Sequence, residues 1–315
     1  MKQILTNSSL TVLRTCPRRY QFQYEMGYVP KKDGEALTIG KLVHAGLEGL
    51  ALHPGDIGTA CLWAKLEFVK SGATDEYLLA KAKSMIVGYY HQYKKEYKTI
   101  SAEQELKAPI INPETNEVSK EYELGMKLDR LIEGKFKRNH LLETKTTADA
   151  IESPTDDYWV KLALDSQIST YYYGAESSGV ALESCIYDVL RKPMSRPKQV
   201  GKEIDPADPR RIETPNEYCT RLQTEILATP NKYYARREIT RSTGDLVNYM
   251  FDVFLMTETL TFYRSKNRFP RNTSACTSHF GRCPYLDVCA GRTGLDNTDK
   301  FIKLEGSKHR ELSLA

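Results

Sequence analysis

The sequence has 315 residues, of which 40% are hydrophobic and 27% are charged, and its formal net charge is +4. No apolar stretch approaches the ~18 residues of a membrane-spanning helix, and the composition does not indicate disorder, so both classes are excluded. The N-terminus lacks the apolar core and the small-residue cleavage site of a signal peptide, so we expect a cytoplasmic protein. The mild positive charge is compatible with a nucleic-acid partner.

The first third of the chain is predicted to be helical. Ser8 and Ser9 are candidate N-caps of a helix that runs towards Tyr24. A loop and a second helix follow within residues 34–52. Residues 74–98 form the clearest helix of this region, because their apolar residues recur at steps of three and four.

After residue 100 the pattern changes to short segments that are separated by turn signals. Three of them predict the strands of one antiparallel meander, namely 101–111, 121–133 and 138–145. The later elements are predicted as a helix at 158–177, a fourth strand at 182–190, a candidate fifth strand at 232–239 and a long helix at 242–265. The sequence therefore predicts an α+β fold with a small central sheet between helices.

Two segments are expected to lie outside this framework. Residues 191–211 hold seven Lys or Arg against three acidic residues and are rich in proline, so we expect a surface loop. The residues after Cys289 are polar and are expected to fray. The predicted organisation begins with an N-terminal helical region at 1–98 and a central core at 99–240. A C-terminal helix with a cysteine segment follows at 241–289, and a polar tail at 290–315.

A pair of acidic residues and a lysine mark the predicted sheet. Asp129 lies on the second strand, and Glu143 and Lys145 end the third, two residues apart and so on one face. Two carboxylates beside a cation suit a divalent metal ion and a water nucleophile. The Glu-x-Lys pattern alone is weak, because it occurs four times, at Glu96, Glu105, Glu133 and Glu143. The copy at Glu143 is favoured because it follows an apolar pair at the end of a strand.

Two helices carry further candidates. Gly40 and His44 form a G-x-x-x-H pattern on an early helix, with Glu48 one turn later. Gln167 and Tyr171 are four residues apart and so share a face of the helix after the sheet. A lone helical histidine is more often a surface residue, and a Gln–Tyr pair is a common helix face, so each pattern needs its context.

Cysteine gives a second signal. There are seven, and an odd number does not indicate a disulfide framework. Cys276, Cys283 and Cys289 lie within fourteen residues in polar surroundings, and three thiolates need a fourth ligand to complete a zinc site or an iron–sulfur cluster. Two residues are candidates for it: His279, which would give a Cys3His zinc site, and Cys16. The remaining cysteines fit isolated buried thiols: Cys61, Cys185 and Cys219.

The order of these patterns resembles that of a RecB-like nuclease, a branch of the PD-(D/E)XK superfamily. The matching segments are GKLVH at 40–44, GMKLDR at 125–130, LLETK at 141–145 and QISTY at 167–171. The resemblance extends from about residue 10 to residue 289 and implies a restriction-endonuclease-like core. Leu128 stands where the superfamily name has a proline.

The resemblance also implies roles for individual residues. His44, Asp129 and Glu143 would be ligands of Mg²⁺ or Mn²⁺, and Lys145 would be the catalytic lysine. Gln167 and Tyr171 would help to hold the site and the DNA. A further acidic position upstream of the Asp is either Glu103 or Glu105, and the sequence does not choose between them.

The cysteine spacing resembles the iron–sulfur subset of the same nucleases. One cysteine precedes the nuclease motifs, in CPRRYQF at 16–22, and three follow them. This implies a structural [4Fe–4S] cluster that joins the two ends of the chain, with zinc as the second choice. Its ligands would be Cys16, Cys276, Cys283 and Cys289. Arg18, Arg19 and the basic residues of 191–211 are candidate contacts for a DNA backbone.

The combined interpretation is a metal-dependent DNA nuclease, most simply an exonuclease that acts on DNA ends or single strands. Two alternatives stay open: a catalytically silent DNA-binding or adaptor protein of the same fold, and a structural zinc protein with incidental acidic residues. The sequence has no GxxxxGK[ST] phosphate-binding motif, so a helicase partner would be a separate chain.

Overall fold

A computed structural model describes residues 2–93, 97–201, 211–278, 281–310 and 312. The strands, in chain order, are β1 (Gln3–Leu5), β2 (Tyr28–Pro30), β3 (Lys98–Ile111), β4 (Val118–Glu133), β5 (Asn139–Thr147), β6 (Ser184–Arg191), β7 (Gln199–Val200), β8 (Arg211–Ile212), β9 (Tyr234–Ile239), β10 (Thr277–Ser278), β11 (Gly281–Arg282) and β12 (Phe301–Lys303). The helices are α1 (Asn7–Thr15), α2 (Pro17–Tyr20), α3 (Glu35–Leu52), α4 (Ile57–Lys70), α5 (Glu76–Gln92), α6 (Asp157–Leu162), α7 (Ser166–Ser177), α8 (Pro215–Ala228), α9 (Pro230–Tyr233), α10 (Thr243–Ser265) and α11 (Leu286–Cys289).

The central sheet is mixed and is built around β4. Strand β3 pairs with β4 in antiparallel fashion along one edge. On the other edge β4 pairs first with β1, in parallel, and then with β5, antiparallel. Strand β6 is parallel to β5, and β9 is antiparallel to β6. The predicted meander of β3, β4 and β5 is therefore confirmed, and the fourth and fifth predicted strands belong to the same sheet.

Helices cover both faces of this sheet. Val189 belongs to a core that includes α7 and α10, whereas Leu190 belongs to a second core formed by α3, α4 and α5. Because successive residues of a strand point to opposite faces, these two cores lie on opposite sides of the sheet. The α+β prediction is confirmed in this form. No helix among the residues that the structure describes has the length and apolar character needed to cross a membrane.

Several helix boundaries differ from the prediction for identifiable reasons. Thr6, and not Ser8 or Ser9, is the N-cap of α1, and Ser9 completes a capping box with it. The first helix does not continue to Tyr24 unbroken, because Cys16 is extended and Pro17 opens a new helix. The helix predicted at 158–177 is divided into α6 and α7, and the sequence analysis assigned no helix to α4 or α8.

The C-terminal residues pack against the N-terminal part of the chain. Strand β12 pairs with β2, and Phe301 is buried. His309 is also buried, with its ring 5.2 Å from that of Tyr24. The expectation that residues 290–315 form a frayed polar tail is therefore wrong for the part that the structure describes, because two side chains anchor it.

Gly125 of β4 lies where both ends of the chain meet the sheet. A Cβ atom at this position would lie 2.6 Å from Ile4 Cγ2 and 2.9 Å from Leu312 Cδ1. Both distances are shorter than van der Waals contact, so a side chain here would displace one or both neighbours. The glycine of the GMKLDR segment is thus required by packing rather than by a turn.

Candidate active site

Asp129 and Glu143 face each other where β4 and β5 stop pairing. The last pair of this ladder is Arg130 with Leu142, and its register continued by one residue places Asp129 opposite Glu143. There the Asp129 Oδ2 atom accepts a hydrogen bond of 2.9 Å from the backbone N–H of Thr144. The Asp129 side chain thus takes the place of a backbone acceptor in the next position of the β4–β5 ladder. This hydrogen bond holds the two carboxylates on one face of the sheet.

Glu143 is fully buried, and its environment favours the neutral acid. Its Oε2 atom has no hydrogen-bond partner among the described residues. Burial is the main cause that raises the pKa of Glu143 to about 8, and the charge of Asp129 adds to it. An unpaired buried carboxylate oxygen beside a second carboxylate is an environment that a bound cation would stabilise.

Lys145 supplies one positive charge to this site. Its Nζ atom lies 2.5 Å from Glu143 Oε1, and its side chain keeps 30% of its surface exposed. Burial acts to lower the pKa of Lys145, but the charges of Glu143 and Asp129 outweigh it and hold this pKa above its ordinary value. The lysine is therefore an ammonium that reaches from the buried carboxylate to the opening of the site.

His44 approaches the carboxylates from α3. Its Nδ1 atom lies 3.7 Å from Asp129 Oδ2, and both side chains are partly exposed. Gly40, one turn earlier, allows this approach, because a Cβ atom there would lie only 3.3 Å from Thr146 Oγ1 of β5. The G-x-x-x-H pattern therefore has a geometric reason: the glycine brings the helix onto the strand that carries Glu143.

The cavity beside His44 and Asp129 contains further charged side chains. Glu48 and Glu103 line it, whereas Glu105 is not among its lining residues. Burial raises the pKa of Glu48, and the charge of Glu103 raises it further. Of the two upstream acidic candidates, Glu103 is the one that lines the cavity with Asp129.

Lys127 is the cation of this second group. It forms an ion pair with Glu103 across β3 and β4. Burial acts to lower the pKa of Lys127, but the hydrogen bond and charge of Glu103, with the charge of Glu48, raise it. The sequence analysis did not single out Lys127, although its position two residues before Asp129 on β4 places both side chains on one face.

Tyr171 is buried beside the carboxylates, and Gln167 on the same helix face is half-buried. The Gln167 Nε2 atom donates a hydrogen bond of 2.5 Å to the Tyr171 hydroxyl, and Tyr171 is buried. Burial raises the pKa of Tyr171, with added contributions from Glu143 and Asp129. The two side chains are thus joined to each other, and Tyr171 lies close to Glu143 and Asp129. Its helix α7 begins at a cap formed by Asp165, which accepts hydrogen bonds from two backbone N–H groups.

The four cysteines of the proposed cluster line one cavity between the two ends of the chain. The cavity contains Cys16 from the α1–α2 junction together with Cys276, Cys283 and Cys289. Burial raises the pKa of Cys283, and the nearby thiols of Cys16 and Cys276 add to this effect. The loops are fixed locally, since the Asn272 N–H donates to Cys16 Sγ at 3.5 Å and the Cys283 N–H to the Cys276 carbonyl at 2.9 Å.

The other thiols and the two arginines have different surroundings. Cys185 is buried in the core as expected, whereas Cys61 on α4 and Cys219 on α8 are only half-buried, so the expectation of buried thiols is wrong for these two. His279 lies outside the described residues. Arg18 donates from Nε to the Phe269 carbonyl at 2.9 Å. Arg19 lines the cysteine cavity, and its Nε atom is buried without a hydrogen-bond partner there.

Neither site is a closed metal shell as it stands. Across the described ranges, no three His, Cys, Asp or Glu side chains are grouped closely enough to hold a metal ion. The acidic site nevertheless combines an imidazole, two carboxylates and an unpaired buried oxygen, and the cysteine site combines four thiols around one cavity. Both sets contain the kinds of donor that the sequence predicts, but their present spacing does not form a metal site among the described residues.

The sheet brings Asp129, Glu143 and Lys145 together at the point where two strands separate. The sequence matches the PD-(D/E)XK nuclease superfamily over residues 4–290, so the chain belongs to this superfamily. Its members are generally nucleases that use Mg²⁺ or Mn²⁺ and bind DNA, which places the chain among the hydrolases at this coarse level.

Individual proteins add little to this assignment. The crystal structure titled SSO0001 is similar to this chain at 13% sequence identity, with a TM-score of 0.29 over 69% of this chain and 74% of that one. No curated protein matches the sequence.

Proposed function

We propose that this chain is a metal-dependent DNA exonuclease of the RecB-like branch, with a structural [4Fe–4S] cluster that joins its two ends. The observation that carries the proposal is the fully buried Glu143, whose Oε2 atom is unpaired beside Asp129 and whose Oε1 atom lies against Lys145. A purely structural acid in this position would have partners for both of its oxygens, because a buried polar atom without a partner is destabilising.

His44, Asp129 and Glu143 would hold the metal ion. Carboxylate oxygens suit Mg²⁺ and Mn²⁺, and an imidazole favours Mn²⁺ over an all-oxygen site. When bound, the ion supplies Lewis-acid polarisation of the scissile phosphate and lowers the pKa of the attacking water. Asp129 keeps its orientation through the Thr144 N–H, so one of its oxygens is positioned before any ion arrives.

Lys145 would act on the reacting groups. Its ammonium extends from the buried Glu143 to the opening of the site, where it orients the water and offsets the negative charge that develops on the phosphate. Gln167 and Tyr171 would act as positioning residues behind the carboxylates. Arg18 and Arg19 would contribute positive charge to the surface near the cysteine cavity, where a DNA backbone could pass.

The cysteine cavity is the basis for the cluster. Cys16 and Cys276 are 260 residues apart in the sequence, and a cross-link over so long a loop stabilises by several kcal/mol in the chain-entropy description. Four thiolates on iron carry excess negative charge, and the buried Nε of Arg19 lies in the same cavity to offset it. The RecB-like and iron–sulfur assignments rest on this arrangement and on the motif order.

Two alternatives have distinct signatures. A silent DNA-binding protein would bind DNA without cleaving it, although Asp129, Glu143 and Lys145 are all present. A zinc protein would contain zinc and lack visible absorbance near 400 nm. A separate helicase chain could be a partner of a nuclease or of a silent DNA-binding protein. We include it in the proposal as a candidate partner.

The proposal is tested by cleavage of end-labelled linear and circular DNA, single-stranded and double-stranded, with Mg²⁺, Mn²⁺ or EDTA. We expect linear DNA to be degraded from its ends in the presence of either ion, and circular DNA to survive. Cleavage of circular DNA would replace the exonuclease with an endonuclease. DNA binding without cleavage of any substrate under all conditions would favour the silent DNA-binding protein.

A further inference from the structure

The turn between β4 and β5 has a backbone conformation that glycine favours, yet it contains no glycine at its centre. The Arg138 N–H donates to the Lys135 carbonyl at 3.2 Å, which closes a four-residue turn around Phe136 and Lys137. Both central residues have left-handed backbones, with φ of 55° and 57°. Positive φ at both central positions is the hairpin turn that is ordinarily made by Asn or Asp followed by Gly.

The side chains at the centre of this turn are therefore present against the preference of the backbone. A left-handed conformation brings the Cβ atom of an L residue too close to a backbone carbonyl oxygen, and a bulky residue such as Phe136 is uncommon there. Glycine would remove this strain. Because strained backbones persist where their side chains have a function, the outlier points to a role outside the turn itself.

The three residues of this turn that project from the sheet, 135–137, form a patch that we call the basic tip. Phe136 is 90% exposed, and Lys135 and Lys137 are exposed on either side of it. Within the ranges that the structure describes, neither lysine belongs to an ion pair, and the Phe136 ring packs on no other aromatic ring. Packing inside this chain therefore does not account for the three side chains.

The basic tip is held in place from below. The Gly134 N–H donates to the Arg138 carbonyl at 2.8 Å, and the Arg138 guanidinium forms an ion pair with Glu183, next to β6. The His140 ring lies against Gly134, where it would clash with a Cβ atom, and its Nδ1 atom is 2.8 Å from Ser184 Oγ. The tip is thus a fixed projection of the sheet.

An exposed aromatic ring between two ammonium groups fits a single-stranded nucleic acid. Every unpaired base has a face on which the ring can stack, and the lysines can neutralise the neighbouring phosphates. A duplex hides most of these faces within its own stack. Phe136 follows Asp129 by seven residues, roughly 23 Å of extended chain, so one strand of DNA can reach both the tip and the acidic site.

We propose that the basic tip is a second DNA contact, at which Phe136 stacks on an unpaired base and Lys135 and Lys137 bind the flanking phosphates. The inference rests on the DNA substrate of the proposed function, and not on its metal ion or its cleavage chemistry. It assigns to the β4–β5 turn a preference for single-stranded DNA over intact duplex.

The test is the affinity for fluorescein-labelled oligo(dT), measured by fluorescence anisotropy with EDTA present so that no strand is cut. Phe136→Ala should weaken binding about 5- to 100-fold, the usual contribution of one stacked base, and Phe136→Trp should keep the affinity. The affinity for a duplex of the same length should change much less. Phe136→Gly should weaken binding of oligo(dT) equally while it raises the urea midpoint, because glycine relieves the left-handed strain.

The lysines have a separate signature. Lys135→Gln combined with Lys137→Gln should lower the slope of log affinity against log salt by about 1.4, because each phosphate contact of a single strand contributes about 0.7. Phe136→Ala should leave this slope unchanged, since stacking releases no counterion.

Two matched controls should bind oligo(dT) as the wild type does. Phe262→Ala removes another exposed phenylalanine, on α10, and Lys65→Gln combined with Lys70→Gln removes two exposed charges from α4.

Wild-type affinity of folded Phe136→Ala and Phe136→Gly for oligo(dT) overturns the inference, whatever the cleavage assays show. Binding to phosphatidylserine–phosphatidylcholine vesicles that Phe136→Ala loses while it keeps its DNA affinity would assign the tip to a lipid surface, and this too overturns the inference. Loss of affinity in Phe136→Ala, in a protein that cleaves no DNA, would support the tip and remove the nuclease. A wild type that binds no DNA overturns both.

Discussion

Asp129 and Thr144 are joined by a hydrogen bond of 2.9 Å from the Thr144 backbone N–H to the Asp129 carboxylate, at the point where β4 and β5 separate. The carboxylate therefore has a structural task in addition to the one proposed for it in metal binding. Thr144 is buried, so its N–H has no ready substitute partner. The two tasks can be separated by mutation.

We expect Asp129→Asn and Asp129→Ala to be equally inactive in cleavage but different in stability. The Asn side chain keeps a carbonyl oxygen that can accept from Thr144, whereas Ala leaves a buried N–H unpaired, which costs about 1–3 kcal/mol. Urea unfolding with EDTA present measures the difference. Equal stability of the two variants would show that the hydrogen bond contributes little.

Lys145→Ala should abolish cleavage while folding and DNA binding stay nearly intact, because the ammonium acts on the reacting groups and Glu143, whose pKa is raised to about 8, can take up a proton when its ion pair is lost. Glu133→Ala is the matched change at another Glu-x-Lys copy. There the carboxylate pairs with Lys98 near the surface, 3.5 Å away, and we expect nearly normal cleavage. Single-turnover cleavage and a filter-binding assay test both variants. Wild-type cleavage by Lys145→Ala would remove the assignment of this lysine.

The stability of the metal-free protein should fall as the pH rises from about 5 to about 8. The pKa of Glu143 is about 8 in the folded protein, above its ordinary value of 4.5, so the folded state binds more protons in this interval. The stabilisation that Glu143 contributes is complete below its pKa in the unfolded chain. It is lost as the pH rises through its pKa in the folded protein. Urea midpoints across this range, with EDTA, measure the slope.

Two comparisons assign this slope to Glu143. Mn²⁺ should flatten it, because a bound cation favours the ionised carboxylate. Glu143→Gln should flatten it without metal. If the slope of Glu143→Gln equals that of the wild type, another group is responsible for the pH dependence.

Cys16→Ala should lose iron and lower the thermal stability of the whole chain, although Cys16 is 260 residues from Cys276. Three thiolates leave one iron atom without a protein ligand, and the α1–α2 junction loses its link to the C-terminal segment. Cys61→Ala and Cys219→Ala should keep full iron. Iron and sulfide analysis decides the question. If Cys16→Ala keeps its metal and His279→Ala loses it, a Cys3His zinc site replaces the cluster.

Gly88→Ala should destabilise the protein by about 1–3 kcal/mol through overpacking. A Cβ atom at Gly88 would lie 2.3 Å from the Tyr234 hydroxyl oxygen, which is fixed by its hydrogen bond to the Met85 carbonyl, and 2.5 Å from Ile226 Cγ2. Gly244→Ala on α10 is the control. Its Cβ would be 3.7 Å from the nearest atom, so stability should stay the same or rise by up to about 1 kcal/mol. Urea unfolding compares the two variants.

The parts of the fold that the sequence predicted are those with local signals. The β3–β4–β5 meander was predicted from short segments separated by turn residues, and its strands lie close to the predicted boundaries. Two parallel pairings were not predicted, β5 with β6 and β1 with β4. Because parallel strands are joined by long connections, no local sequence pattern predicts their pairing. Strand β1 is also only three residues long.

For the acidic site too, the residues with local signals were predicted and the residues that depend on distant pairing were missed. Asp129, Glu143 and Lys145 are close in the meander, and their order along two neighbouring strands was sufficient to group them. Lys127 and Glu103 were not grouped, because their contact depends on the register of β3 against β4. The anchored C-terminal segment was missed for a related reason. Its isolated Phe301 gives no periodic signal, and the partner strand β2 lies near the other end of the sequence.

The packing at Gly125 has a consequence for synthesis on the ribosome. Ile4 and Leu312, which both contact this glycine of β4, are separated by 308 residues. At the usual speed of translation, the second emerges roughly 15–60 s after the first. During the part of that interval that follows the synthesis of β4, the nascent chain has the strand that carries Asp129 but not its complete cover. The strand that bears the proposed metal ligand therefore receives its complete cover only after residue 312 has left the ribosome, and we expect assembly of the acidic site to wait for that residue.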